Sequence, residues 1–445
     1  MAKITFIGAG SIVFTRNLVR DILTYPAFQK DLTISLMDIN TDRLAYIKKA
    51  IEKIVNLGGY HVNIEVLTDR REALKNADGV VITIVAGGVE VFSKDVTIPE
   101  KYGVDLCIGD TRGPGGIFRA LRTIPIMLDI CKDIEELCPD AFVLNYTNPM
   151  AMLCRAMQGE TKVKITGLCH SVQGTSEMLA KWIGAPINEI TYVCAGINHQ
   201  AFYLEYKWNG KDAYPLLREA VKDPEVFNRE QVRNEMFKYL GYYVTESSGH
   251  NSEYNPWFRK RKDLIEEFCT HGTGAQPGRH ADLVIRRTMY GEETWFKEVD
   301  EWLAKEDIDL SRGHEYAAGI FNAVFGDGEF FRFNGNVRNF GLIDNLMEGC
   351  CVEVPVLASK NGFQPMKVGK MPAQLAALNN LNAACEEMAV QAALTGDTGM
   401  LYHAICLDPL TSAVLSLREI EDMVNEMLEA NRDYLPQFKS FHVEL

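Results

Sequence analysis

The chain has 445 residues, of which 47% are hydrophobic and 24% charged, and its formal net charge is −14. This composition is typical of globular proteins and excludes disordered, collagen-like and coiled-coil chains. The acidic balance argues against nucleic acids and anionic membranes as partners, because both require basic patches. The length predicts two or three domains that fold without disulfides or a structural metal.

The cysteines and the start of the chain indicate a reducing compartment. Eleven cysteines, including the adjacent Cys350 and Cys351, do not form the even, spaced set of a disulfide-bonded secreted domain. Residues 1–7 enter a strand pattern without a signal-peptide layout, and no apolar run reaches the ~20 residues that span a bilayer. We therefore expect a cytoplasmic protein.

The first half of the chain alternates predicted strands and helices. Apolar and β-branched segments predict strands at 4–7, 32–37, 62–67, 80–85, 141–145 and 163–168. Amphipathic spacing predicts helices at 12–24, 41–57 and 117–137. This alternation predicts an α/β fold with a Rossmann-type, doubly wound parallel sheet that is covered on both faces.

The pattern changes after about residue 195. Residues 202–208 predict an antiparallel strand, and longer helices are expected at 228–243, 280–304, 312–325, 371–395 and 411–431. No glycine- or serine-rich linker separates the two halves. We predict a Rossmann domain over 1–195 and an α+β domain over 196–445, with the active site in the cleft between them.

The turn after the first strand predicts a nucleotide site. Gly8 and Gly10 stand between a strand and a helix N-terminus, where the backbone can approach a pyrophosphate. Val13 replaces the third glycine of the usual fingerprint, so a tight turn without a ligand is the alternative. Asp38, at the end of the second strand, would accept ribose hydroxyls and repel a 2′-phosphate, which favours NAD over NADP. The other candidate cofactor-binding residues are Ser11, Ala86 and Gly87.

Two loops at predicted strand ends carry side chains that suit a metal ion. Cys169 follows the sixth strand, and His199 follows a candidate strand at 190–195. A thiolate and an imidazole would suit a divalent transition metal with open coordination positions. A buried thiol and a core histidine are the alternative interpretation.

Two further segments offer candidate substrate contacts. Residues 109–116 are too rich in glycine to predict a helix, so they predict either a flexible loop that presents Asp110 or a wide turn. Asn148, before Pro149, follows the fifth strand and would face the same crevice. An Asx turn is the alternative for Asn148.

Seven short motifs, spread over essentially the whole chain, carry a resemblance to one known family. They are the segments at 7–11, 113–116, 119–125, 147–150, 169–172, 196–199 and 334–336. In combination they resemble the NAD- and metal-dependent glycoside hydrolase family 4. Cys-His-Ser-Val at 169–172 resembles the α-galactosidase branch, and the segments 245–250 and 252–254 look like the non-phosphorylated branch, where α-galacturonidases are similar.

The resemblance implies a fold similar to that of lactate and malate dehydrogenases, and a redox route to hydrolysis. NAD⁺ would take a hydride from sugar carbon 3, a base would remove the proton on carbon 2, and the aglycone would leave from carbon 1. Water would then add, and the hydride would return. Divalent manganese (Mn²⁺), held by Cys169 and His199, would act as a Lewis acid. This family is an exception to hydrolysis by paired carboxylates.

The resemblance leaves the general acid and base open. Several members use a tyrosine as base, for which Tyr254 is the best match, followed by His250 or Asp110. His170 stands where other members carry an acidic Asp, so either His170 or Asp110 could protonate the leaving group. The candidate substrate-binding residues are Asn148, His170 and Arg312.

The predicted activity is hydrolysis of terminal α-galactosides of small oligosaccharides. α-Galacturonidase and α-glucosidase are the alternatives within the family. A 2-hydroxy-acid dehydrogenase would share the fold but would give Cys169 no role, and a non-catalytic nucleotide sensor is a further alternative. We expect a homodimer or homotetramer with no nucleic-acid or membrane partner.

Overall fold

The computed structural model describes residues 2–272, Leu283 and 292–444. In these residues the strands are β1 (Ala2–Ile7), β2 (Lys30–Met37), β3 (His61–Leu67), β4 (Gly79–Ile82), β5 (Phe142–Asn145), β6 (Lys164–Gly167), β7 (Ile190–Ala195), β8 (Phe202–Trp208), β9 (Lys211–Asp212), β10 (Phe331–Arg338), β11 (Cys351–Ser359) and β12 (Gly362–Pro365).

The helices of the first half are α1 (Ile12–Leu23), α2 (Thr41–Gly58), α3 (Arg70–Leu74), α4 (Gly88–Lys101), α5 (Gly113–Leu137), α6 (Met150–Glu160) and α7 (Ser171–Trp182). Those described in the second half are α8 (Tyr214–Ala220), α9 (Pro224–Arg229), α10 (Gln231–Leu240), α11 (Ser248–Glu253), α12 (Lys262–Phe268), α13 (Glu292–Leu303), α14 (Tyr316–Phe325), α15 (Ala373–Thr395), α16 (Thr398–Cys406), α17 (Pro409–Val414) and α18 (Leu417–Ala430).

A nine-stranded sheet in the order β12-β11-β10-β6-β5-β4-β1-β2-β3 forms the centre of the molecule. The six strands β1–β6 are parallel to one another. Their order reverses between β1 and β4, and α/β sheets bind ligands at such a switch point. The predicted Rossmann-type, doubly wound sheet is confirmed.

Strands from the second half of the chain extend this sheet. β10 pairs antiparallel with β6, and β11 and β12 continue the antiparallel edge. The candidate strand at 190–195 is β7, which belongs to a three-stranded antiparallel sheet with β8 and β9. The loop after β7 still reaches the main sheet, because Gly196 bridges Glu353 of β11. The domain boundary at residue 195 stays a prediction.

Helices cover both faces of the sheet. On one face α1, α2 and α14 bury residues such as Leu18, Ile51 and Phe321. On the other, α5, α6, α15 and α18 bury residues such as Leu121 and Val390. Among the residues that the structure describes, no helix is long and apolar enough to cross a bilayer.

The glycine-rich segment at 109–116 was wrongly predicted to contain no helix, since α5 begins at Gly113. Pro114 suits the first turn of a helix, where its missing N–H needs no partner. A Cβ on Gly115 or Gly116 would collide with the backbone of Gly109 or Thr111. These glycines therefore serve close backbone packing rather than flexibility.

The predicted helices of the second half differ from the structure mainly at their ends. The one expected at 228–243 is α10, and the one expected at 411–431 is divided into α17 and α18. Part of the helix predicted at 280–304 lies outside the described residues, and its described part is α13. Nine of the described helices were not predicted: α3, α4, α6, α7, α8, α9, α11, α12 and α16.

Candidate active site

The turn after β1 brings the predicted cofactor residues together. Gly8 has φ = 86°, and a Cβ there would lie 2.5 Å from the carbonyl oxygen of Thr83. The backbone N–H of Gly10 donates to Oδ2 of Asp38 at 2.7 Å, and that of Asn40 donates to Oδ1 at 2.9 Å. The Asp38 carboxylate is thus fixed beside the glycine turn at the carboxyl end of β2.

Two helices begin at the carboxyl ends of the parallel strands. Ser11 immediately precedes α1, and Ala86 and Gly87 immediately precede α4. Because β1 and β4 are paired, both helices follow neighbouring strands at the switch point. The first N–H groups of a helix have no intrahelical partner, and its N-terminus is the positive end of the helix dipole, so the arrangement fits the pyrophosphate of a dinucleotide.

The structure also brings together three groups that could bind a metal ion. A thiol, an imidazole and a carboxylate from Cys169, His199 and Glu246 offer ligand atoms that all lie within 4.8 Å of one another. Oε2 of Glu246 lies 3.9 Å from the Cys169 sulfur and 3.4 Å from Nε2 of His199. A set of sulfur, nitrogen and oxygen donors suits a divalent transition metal better than a set of oxygen donors alone.

The backbone around this cluster is fixed in unusual conformations. His199 and Glu246 both have positive φ values, of 62° and 64°. A left-handed conformation outside glycine costs of the order of 1–3 kcal/mol and persists where surrounding structure imposes it. Here the Gly196–Glu353 bridge holds the first loop, and a bridge from Phe202 to Val244 holds the second. The directions of the His199 and Glu246 side chains are therefore set by the fold.

The electrostatics of the three groups fit a bound cation. Burial lowers the pKa of His199 to about 4, so the imidazole is neutral at neutral pH and free to coordinate. Burial alone would raise the pKa of Glu246, but His250, His199 and His170 bring it down to about 2. Burial and nearby carboxylates raise the pKa of the Cys169 thiol well above its usual value, so its ionisation requires a cation.

Tyr254 packs behind the histidine of this cluster. Its ring is fully buried, and its hydroxyl lies 3.4 Å from Nδ1 of His199. Burial raises the pKa of Tyr254 well above its usual value, while the Arg112 guanidinium acts in the opposite direction. The imidazole of His250 is 5.0 Å from that of His199, centroid to centroid, so two candidate bases border the metal ligands.

Asp110 lies at the same site but is engaged by neighbours. Its Oδ2 accepts from Arg119 at 2.9 Å, its Oδ1 accepts from the Thr111 hydroxyl at 2.7 Å, and Nε2 of His250 lies 3.8 Å away. The preceding loop is held by Glu253, whose carboxylate accepts three successive backbone N–H groups. The donors are Cys107 at 2.7 Å, Ile108 at 2.9 Å and Gly109 at 2.9 Å.

The candidate substrate contacts fall into two groups. Asn148 is half-buried after β5, where its Oδ1 accepts from the Met150 N–H at 3.2 Å, and His170 is exposed beside Cys169. Arg312 instead lies over the ring of Tyr25, just after the far end of α1. A helix of this length places that end roughly 18 Å from the cofactor turn. The structure therefore places His170 next to Cys169 of the cluster and Asn148 at the end of the neighbouring strand β5, whereas Arg312 contacts Thr24 and Tyr25.

Sequence reasoning missed four residues of this site: Glu246, Glu253, Arg112 and Glu353. Glu246 and Glu253 lie in segments that carried the resemblance, but no local pattern marks them as a ligand or a loop clamp. Glu353 is a buried carboxyl group on β11, whose backbone N–H and carbonyl both bond to Gly196. Only the packing of distant segments reveals these groups.

Comparison with known proteins places the whole chain in one context. The family model described as family 4 glycosyl hydrolase matches residues 3–185. The model of the C-terminal domain of the same family matches residues 194–411. An alpha-galactosidase of Bacillus subtilis (strain 168) is 41% identical over 99% of this chain and 100% of its own length.

A second relative, an alpha-galactosidase of Rhizobium meliloti (strain 1021), is 37% identical over 98% of this chain and 89% of its own length. Among solved structures, a 6-phospho-alpha-glucosidase from gut microorganisms in complex with NAD and Mn²⁺ superposes with a TM-score of 0.82. It is 20% identical and covers 98% of this chain and 100% of its own, so this likeness concerns the fold.

Proposed function

The chain belongs to family 4 of the glycosyl hydrolases, and from that premise we propose that it is an α-galactosidase that uses NAD and a divalent metal. The observation that carries the proposal is the Cys169–His199–Glu246 cluster, whose cysteine follows the parallel strand β6 at the end of the sheet where the glycine turn follows β1. A hydrolase acting through paired carboxylates would need neither feature. The two relatives named as alpha-galactosidases support the choice of sugar.

The residues fit the two groups that the proposal requires. Asp38 and the paired N-termini of α1 and α4 would hold NAD, and the cluster would hold Mn²⁺ through sulfur, nitrogen and oxygen. When bound, NAD⁺ supplies a hydride acceptor for carbon 3 of the sugar, and the metal supplies a Lewis acid that polarises the oxygen there. The ketone at carbon 3 acidifies the proton on carbon 2, so that a side chain can remove it.

For the base we propose Tyr254. Its hydroxyl lies 3.4 Å from the imidazole of His199, and a guanidinium covers one face of its ring. Burial raises the pKa of Tyr254 well above its usual value, and the positive charge of Arg112 acts against that rise, towards the tyrosinate that proton removal requires. His250 is the second candidate, since its ring lies 5.8 Å from that of Tyr254.

For protonation of the leaving group we propose His170 rather than Asp110. His170 is exposed at the N-terminus of α7, next to Cys169, where an aglycone can reach it. Asp110 is buried and paired with Arg119, which stabilises its carboxylate and opposes proton donation. Asn148, at the end of β5, would hydrogen-bond sugar hydroxyls.

The proposal includes a reducing cellular compartment and a homo-oligomeric state. All eleven cysteines are free thiols, and ten of them are buried. A metal site built on the thiolate of Cys169 requires that this thiol stay reduced. These properties agree with a cytoplasmic enzyme, and sedimentation of the purified protein would give the oligomeric state.

The function is tested with a panel of nitrophenyl glycosides, assayed with NAD⁺, Mn²⁺ and thiol. We expect the α-galactoside to give a higher kcat/KM than the α-glucoside and the α-galacturonide. EDTA should abolish turnover, Mn²⁺ should restore it, and Cys169→Ser should not be restored, whereas Cys406→Ser should behave as the unchanged protein. Preference for the galacturonide, or NADH accumulating in step with product, would overturn the proposal.

A further inference from the structure

The guanidinium of Arg112 connects three parts of the site. Nε donates to Oε1 of Glu386 on α15 at 2.9 Å, and Nη2 donates to the carbonyl oxygen of Asn198 at 2.5 Å. Its Cζ lies 4.6 Å from the centroid of the Tyr254 ring. Arg112 is only 3% exposed, so these contacts are made away from bulk water.

Two of these contacts reach residues beside His199, and the third compensates the charge of Arg112. The Asn198 carbonyl belongs to the peptide that leads directly into His199, whose backbone is left-handed. The Tyr254 ring carries the hydroxyl that lies against that same histidine. A buried cation is tolerated here because Glu386 compensates its charge.

The loop 107–112 and the helix α11 hold each other in place through two sets of contacts. Arg112, at the end of the loop 107–112, reaches Tyr254 just after α11. In return Glu253, the last residue of α11, accepts the backbone N–H groups of residues 107–109. The loop and α11 therefore cannot shift independently, and the arginine links both to the metal-ligand loop.

A planar guanidinium is needed for this geometry. It can donate to a carboxylate and a carbonyl in its plane while its face lies on an aromatic ring. A lysine ammonium keeps the charge, but it is a point donor that cannot make these three contacts together.

We propose that Arg112 is a positioning residue that fixes His199 and Tyr254 relative to each other, so that metal binding and proton removal occur at one geometry. The inference rests on the proposed function, because it gives both residues a role in the reaction. Arg112 acts through these neighbours and is not itself assigned a contact with substrate.

The test compares Arg112→Lys and Arg112→Met with Arg155→Lys. Arg155 is a matched control because it forms a bidentate ion pair with Glu387, the neighbour of Glu386 on α15. Mn²⁺ affinity is measured by electron paramagnetic resonance without sugar, NAD affinity by fluorescence, and kcat and KM with the nitrophenyl α-galactoside. Thermal unfolding shows whether each variant is folded.

We expect both Arg112 variants to bind NAD like the unchanged protein and to lose about 10–100-fold in Mn²⁺ affinity, as for other groups that orient metal ligands. Their kcat should fall much more than their KM rises, and lysine should not restore either property. Arg155→Lys should change stability only. If Arg112→Met does not fold, Glu386→Gln weakens the support of Arg112 and should lower Mn²⁺ affinity in the same direction.

Mn²⁺ affinity and kcat in folded Arg112→Lys equal to those of Arg155→Lys would overturn the inference. Failure of the unchanged protein to hydrolyse the α-galactoside would instead count against the proposed function. The two failures are distinguishable, because Mn²⁺ affinity is measured without substrate.

Discussion

His199 and Glu246 face each other with 3.4 Å between Nε2 and Oε2, and both have left-handed backbones. The pair stands 47 residues apart in the sequence, yet the fold aims both side chains at the sulfur of Cys169. The neutral imidazole and the ionised carboxylate are the protonation states that coordination requires. Two of the three proposed ligands are therefore in their coordinating form at neutral pH, and the Cys169 thiol would lose its proton when a cation binds.

Replacement of Glu246 by Gln removes the negative ligand but keeps its shape. We expect Mn²⁺ affinity to fall by about 10–100-fold or more, because even groups that only orient ligands have effects of that size. The measurement is titration with Mn²⁺ followed by electron paramagnetic resonance. The control is Glu205→Gln, an exposed carboxylate on β8 that pairs with Lys207. Equal affinities of the two variants would remove Glu246 from the ligand set.

Asp38→Ala tests the cofactor assignment. Loss of a charged hydrogen-bond acceptor should weaken NAD binding by about 10–100-fold, since such bonds contribute about 1.5–3 kcal/mol. NADP binding should be unchanged or improved, because the repulsion of its 2′-phosphate disappears. Calorimetric titration gives both affinities, with Asp31→Asn at the opposite end of β2 as the control. A preference of the unchanged protein for NADP⁺ would contradict the role of Asp38.

The parts of the site that could be predicted from the sequence are those that depend on short, contiguous segments. Gly8, Gly10 and Asp38 sit at strand ends, where the alternation of strands and helices already fixes their neighbours. Cys169 follows the sixth strand, and its place at the carboxyl end of that strand comes from the same pattern. A parallel sheet brings such strand ends together, so their proximity was predictable.

The remaining parts depend on segments that meet only in three dimensions. Glu246 reaches the cluster from a loop after α10, and Glu353 lies on a strand that extends the first-half sheet. β7 has the same strand signal as its predecessors, yet it pairs with β8 in a separate sheet. Arg312 lies over Tyr25, a contact that no spacing predicts.

Glu353 should make stability depend on pH. Burial raises its pKa to about 8 from an ordinary value of 4.5, so the folded protein keeps this proton where the unfolded chain has lost it. The contribution of the protonated Glu353 to the free energy of unfolding is therefore complete below pH 4.5, and it is lost as the pH rises towards 8.

Glu353→Gln keeps a neutral, hydrogen-bonding group at every pH. As the pH rises from 5 to 8, the free energy of unfolding of this variant should increase by a few kcal/mol at most relative to that of the unchanged protein. One pKa unit corresponds to about 1.4 kcal/mol. Urea unfolding at the two pH values measures the difference. An identical pH dependence in both proteins would show that this carboxyl group titrates normally.

Tyr254→Phe should slow proton removal without releasing NAD or metal. A general base contributes about 10²–10⁴-fold in rate, so kcat should fall within that range. Tyr206→Phe is the control, because its buried hydroxyl donates to the Ser176 carbonyl at 2.7 Å, away from the cluster. If turnover persists undiminished, the base is another group, and His250 or Asp110 is tested next.

Hydrolysis in D₂O shows whether the glycosidic bond breaks by elimination after oxidation. In that mechanism the proton on carbon 2 leaves and is replaced from solvent, so we expect the released galactose to carry deuterium at carbon 2, measured by NMR or mass spectrometry. The exchange is independent of which step limits the rate. Galactose recovered without deuterium at carbon 2 would show that the bond breaks by displacement instead.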